Sequence, residues 1–149
     1  HKGKIKAVGV SNFLERHILQ LSESCNEAPM FNQIEINPFY QECGLTKWCQ
    51  THQTVVQGWS PLARGDVFKN PVMKKISHKH GKTIPQVCLR WAIQRDVIPI
   101  VAAADPSFIR DNMDIFDFSL DSADMEEIMT LNTNTEHWGI WMYKRQQMY

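Results

Sequence analysis

Residues 6 to 13 read KAVGVSNF, where small side chains (Ala7, Gly9, Ser11) alternate with branched ones (Val8, Val10). A two-residue period with one narrow and one bulky face suits a strand held between a tight interior and an outer layer of helices. Just beyond it, Asn12 and Glu15 stand at the spacing of a reciprocal helix cap, and Leu14, Ile18 and Leu21 fall at i, i+4 and i+7. The reading is a strand over 6–11 followed by a helix of about three turns.

The same rhythm repeats along the chain. FNQIEINP (31–38) puts Gln33, Glu35 and Asn37 on one side and Ile34 and Ile36 on the other before Pro38 ends it, so this strand turns a polar face to the interior. Leu45, Trp48 and Cys49 form a short helical stripe, and TVVQGWSP (54–61) reads as a third strand closed by Pro61. A loop carrying Arg64 and Gly65 leads to a helix with Pro71 at its first position, Val72, Met73 and Ile76 on its apolar side and Gly81 at its stop. Thr83 caps another, with Val87, Cys88, Trp91 and Ala92 buried. VIPIVAA (97–103) is apolar almost throughout, as expected of a fourth strand covered on both faces. Helices opening at Asp105 or Pro106 and near Ala123 complete the series, and residues 133 to 149 are assigned no element.

Strand-then-helix units in series imply a parallel sheet, and short right-handed crossovers are the material of a (β/α)8 barrel. At 149 residues the chain is short of the roughly 250 such a barrel uses, so the expected fold is α/β, half of a TIM-type barrel. Its start, HKGKIKAVGV, has no initiator Met and runs almost at once into strand pattern, as a cut end would. In such a barrel the carboxyl ends of the strands form the working face. Attention therefore falls on Ser11, Asn12, Asn37, Trp59 to Arg64 and the stretch after Pro99.

Sixteen basic and sixteen acidic residues cancel, so no summed field draws in nucleic acid or an anionic membrane, short of a local basic patch. Cys25, Cys43, Cys49 and Cys88 include no CxxC pair, and no apolar run approaches eighteen residues. Reduced thiols in a cytoplasmic protein are the simplest expectation, with two disulfides as the alternative. His78 and His80 lie about 200° apart on a helix and cannot chelate together, so they read as solvated and no metal site is expected.

VGVSNF (8–13), FNQIEINPFYQ (31–41), GWSPLARG (58–65), GKTIPQVCLRW (81–91) and FDFSLDSADMEEI (116–128) together resemble the aldo-keto reductases, in family order and with family-like separations from Lys4 to about Asn132. The resemblance implies the C-terminal half of the barrel, strands five to eight, over residues 1–132, with 133–149 as a C-terminal tail. It implies that Ser11, Asn12 and Gln33 hold a nicotinamide carboxamide, since hydroxyl and amide side chains offer both donors and acceptors. Trp59 would lay its ring on the nicotinamide; a barrel-core residue is the bland alternative. Ser60, Leu62 and Arg64 match the loop beneath the pyrophosphate; for Arg64 a solvated loop charge is the bland alternative.

The family's adenosine clamp, a Lys-Ser pair, then an Arg, then an acidic-Asn pair, falls on Ala102 and Ala103, Phe108, and Asp111 and Asn112. Only the last pair is kept. Because the lost cations neutralise the 2′-phosphate, the resemblance implies NADP(H) binding with weakened preference and NAD(H) use, unless Arg110 or Arg64 replaces the charge. Phe108 would stack on adenine or join a core. Trp138 and Trp141, with Trp59, are candidates to line the pocket of a small carbonyl substrate; packing against the barrel is the alternative for the tail. The family's catalytic Tyr, Lys, Asp and His map onto nothing here, so an enzyme fragment inactive alone is expected, the partner being the missing N-terminal half of the barrel. The rivals are a non-catalytic binding or interaction subunit of the same fold, and a free half-barrel whose open strand edges drive self-association.

Overall fold

The computed structural model describes residues 3–134. Four parallel strands, β1 (Gly9–Ser11), β2 (Phe31–Glu35), β3 (Val55–Trp59) and β4 (Val97–Ile100), lie side by side in chain order. Helices α1 (Glu15–Ser24) and α2 (Cys43–Thr51) connect the first three strands. A 3-10 segment (Ala63–Lys69), α3 (Pro71–His80) and α4 (Ile84–Ile93) connect β3 to β4, and α5 (Pro106–Met113) and α6 (Ser122–Met129) follow. The sequence places every strand and α-helix, while Ala63–Lys69, read as a loop, forms a 3-10 segment; β2, β3 and β4 end short of their expected runs where the chain turns into the working-face loops, and β1 starts late, at Gly9.

The sheet has two chemically different faces. Ile34, Val56 and Val97 are buried and point to the helices, where Trp91, Leu45, Met73, Ile76, Val87 and Ile128 close the core. The opposite face carries Gln33, Gln57 and Trp59, as the period-two reading requires. Gly58 lies on the helix side because a Cβ there would stand 3.0 Å from Val97 Cγ1 and 3.2 Å from Ile36 Cβ. Gly58→Ala is expected to destabilise the chain by about 1–3 kcal/mol through overpacking, measured as a lower urea midpoint at unchanged m.

Three expectations are corrected. β4 is not covered on both faces: Ile98 is 50% and Ile100 41% exposed, because among the described residues nothing lies on the interior side of the sheet there. Asn12 does not cap α1. It takes a left-handed φ of 58°, which carries its side chain away from the helix, and His17 Nδ1 instead accepts from the Leu14 N–H at 3.1 Å. His80 is not solvated, since its Nε2 lies 2.7 Å from Asp124 Oδ2 on α6.

That contact belongs to a charged seam between α3 and α6. Lys79 Nζ reaches Asp121 at 2.6 Å and buried Asp124 at 2.8 Å. Burial pushes the Asp124 carboxyl up, but hydrogen bonds from Lys79 and His80 more than offset this and leave it below its usual 3.8. The hydrogen bond from Lys79 holds Asp121 at about 2. A carboxylate lowered in the folded state contributes stability above its unfolded pKa and loses it as pH falls through the folded one. The urea midpoint is therefore expected to fall between about pH 4 and pH 2, and Asp124→Asn to flatten that fall.

Candidate functional site

The working face is assembled around one backbone carbonyl. Gln33 O accepts from Asn12 N at 2.9 Å and from Ser11 Oγ at 3.0 Å, so the tip of β1 is tied to β2. On the helix side, buried Asn32 grips the next residue: its Nδ2 donates to Phe13 O at 2.8 Å and its Oδ1 accepts from Phe13 N at 3.3 Å. Held at both ends, Asn12 can keep its left-handed backbone, which asparagine tolerates better than most residues.

Trp59 joins this group across the sheet. Its Nε1 donates to Asn12 Oδ1 at 3.1 Å. In the parallel register Ser11, Gln33, Gln57 and Ile98 form one row, with Glu35, Trp59 and Ile100 in the next. Gln33 Nε2 donates to Gln57 Oε1 at 3.0 Å. Ser11, Asn12, Gln33 and Trp59 therefore converge, as the sequence suggests. Gln57 was missed, although its position two before Trp59 puts it on the same face.

After Trp59 the chain runs through left-handed Ser60, Ala63, Arg64 and Gly65, the last at φ 97°. Half-buried Leu62 packs on the core, and Arg64 is exposed. Ala102 is exposed, Ala103 is half-buried, and neither brings a charge. Asp105 caps α5 and accepts from Ser107 N and Oγ, which hold its carboxyl below the usual carboxylate range. Phe108 is 61% exposed, so it is not a core residue among those described; Asp111 is exposed and Asn112 half-buried. Gln86 Nε2 fixes Asp111 O at 3.1 Å.

Thr133 donates from its N–H and hydroxyl to Phe39 O, so the chain passes the loop after β2 before residue 134. Trp138 and Trp141 lie outside the described residues. Burial pushes up the thiols of Cys49, partly offset by a hydrogen bond from Asn32, and of Cys88, and all four cysteines are free. Among the described residues no cluster of three His, Cys, Asp or Glu side chains is placed to hold a metal, and no helix is long and apolar enough to cross a membrane.

Residues 1–133 match the aldo/keto reductase family. The chain belongs to that family. It is 39% identical over 130 residues to the glyoxal reductase of Bacillus subtilis and 37% identical over 132 residues to the 9,11-endoperoxide prostaglandin H2 reductase of Trypanosoma cruzi. Each match covers 87% of this chain and 47% of the relative, so this aldo-keto reductase chain spans about half the length of the curated relatives it matches. Among solved structures, an aldo-keto reductase from a Medee basin deep-sea metagenome library superposes with a TM-score of 0.87 at 38% identity, covering 91% of this chain and 51% of that one. A Bombyx mori aldo-keto reductase in complex with NADP superposes at 0.84 and 30% identity, covering 93% and 48%. The α/β fold of alternating parallel strands and helices is thus that of aldo-keto reductase barrels.

Replacing Asn32 by Leu would leave the Phe13 N–H and carbonyl without their partner. The expected cost is about 2–4 kcal/mol in urea unfolding, with faster hydrogen exchange at the Phe13 amide than elsewhere in the sheet.

Proposed function

We propose that this chain is the C-terminal, cofactor-holding half of an aldo-keto reductase barrel that reduces aldehydes or ketones with NAD(P)H. Residues 1–132 form the half-barrel and 133–149 a tail. The observation that carries the reading is the convergence of Ser11, Asn12, Gln33 and the Trp59 indole at the carboxyl ends of three adjacent strands. An aromatic plane beside hydroxyl and amide groups suits a nicotinamide, which when bound supplies hydride. The proton donor and its partners are supplied by the rest of the barrel, because the family's Tyr, Lys, Asp and His map onto no position of this stretch. Ser60, Leu62 and Arg64 lie beneath the pyrophosphate, and Phe108, Asp111 and Asn112 face the adenosine; Trp59 borders the carbonyl substrate.

At the adenosine end the chemistry favours a cofactor without a 2′-phosphate. Ala102 and Ala103 supply no cation, and the ionised Asp105 carboxylate already occupies the N-terminus of α5, where a phosphate would otherwise gain. NADH is therefore expected to bind at least as tightly as NADPH when both are titrated against tryptophan fluorescence; clearly tighter NADPH binding would sink this preference. Installing the charges, Ala102→Lys with Phe108→Arg, is expected to raise NADPH affinity by about ten- to a hundredfold while leaving NADH little changed.

A further inference from the structure

The side chain of Arg95 lies along one face of α2. At its backbone end Arg95 O accepts from Gln50 Nε2 at 2.8 Å, and at its far end Nη2 donates to Gln41 O at 2.9 Å and to Cys43 Sγ at 3.5 Å. Cys43, Thr46 and Gln50 share that face of the helix, so the arginine passes Thr46 on its way to the sulfur. Along this strip Arg95 Nη1 and Thr46 Oγ1 are both buried with no hydrogen-bond partner among the described residues, and Thr46 is only 4% exposed. Burial pushes the guanidinium pKa down, and no carboxylate among the described residues pairs with it. A cation and a hydroxyl thus meet beside an exposed sulfur, each able to donate to one further acceptor.

We propose that Cys43 is a site of reversible oxidation by hydroperoxides, its sulfenic oxygen being received by Arg95 Nη1 and the Thr46 hydroxyl. This site is separate from the proposed cofactor site. The sulfur attacks one oxygen of the hydroperoxide, so that the O–O bond breaks and an S–O bond forms. Sulfur is oxidised by two electrons and the peroxide reduced by two, and the thiol proton leaves with the departing oxygen as water or an alcohol. The new oxygen is the acceptor that the two buried donors lack, and the guanidinium stabilises the negative charge that gathers on it. Gln41 Oε1, which lies 3.9 Å from the Cys43 sulfur as the acceptor of its thiol, is then open to the S–OH proton.

The other cysteines supply the comparison. Cys49 and Cys88 are buried, and burial raises both thiols, so they do not compete. Cys25 is exposed like Cys43 but closes the carboxyl end of α1, where backbone carbonyls oppose a negative oxygen.

The test treats the 149-residue chain with dilute hydrogen peroxide in the presence of dimedone, which traps sulfenic acids, and reads the label at each cysteine by peptide mapping. Cys43 is expected to label about tenfold faster than Cys25. Thr46→Val removes the orphaned hydroxyl at nearly constant volume, leaves stability unchanged or raised, and should cut that ratio about two- to threefold. Arg95→Leu should bring the ratio to about one. Label appearing on Cys49 or Cys88 in that variant would report a lost fold, and Thr46→Val then decides alone. Equal labelling of Cys43 and Cys25 in the parent chain, or a ratio unchanged in Thr46→Val, would overturn the proposal.

Discussion

The Gln33 carbonyl, taking the Asn12 N–H and the Ser11 hydroxyl together, holds the site in place. Without that double acceptance the tip of β1 would be an ordinary strand-to-helix turn, with Asn12 free to cap α1. With it, the backbone is held left-handed at Asn12, the side chain swings to the interior of the sheet, and the indole of Trp59 can reach it. Asn32 secures the same turn from behind, so a buried side-chain amide and the backbone carbonyl of the next residue grip the loop together.

The rest of the architecture serves that register. A parallel ladder brings residues from separate units into rows, and Ser11, Gln33 and Gln57 meet because β1, β2 and β3 pair without a slip. A shift by one residue would turn the polar row into the helix layer and the apolar core outward. Ile34, Val56 and Val97 oppose that shift by filling the space against α2, α3 and α4. The core thus sets site geometry as well as stability.

The nicotinamide end and the adenosine end of the proposed cofactor site rest on different chemistry. The first depends on neutral groups that match an amide, and these are present. The second depends on cations, and Ala102, Ala103 and Phe108 remove them while Asp105 adds a fixed negative charge nearby. Binding specificity at that end would follow from which charges are missing.

Alternation and capping signals in the sequence were enough to place four strands and the helices between them, because hydrophobic period and terminal residues act locally. Thr83 and Asp105 cap helices and Pro71 and Gly81 sit where their backbone preferences put them, while Asn70 and Asp121 are caps that the reading of the sequence did not name. The same local rule misread Asn12, whose amide answers to an indole 47 residues away, and His80, whose partner lies on another helix. Gln57 was overlooked for that reason too: its hydrogen bond with Gln33 exists only once β2 and β3 are paired. What tertiary structure alone decided was which polar group faces which, since hydrogen bonds across a sheet depend on register, and register is a property of the assembled core.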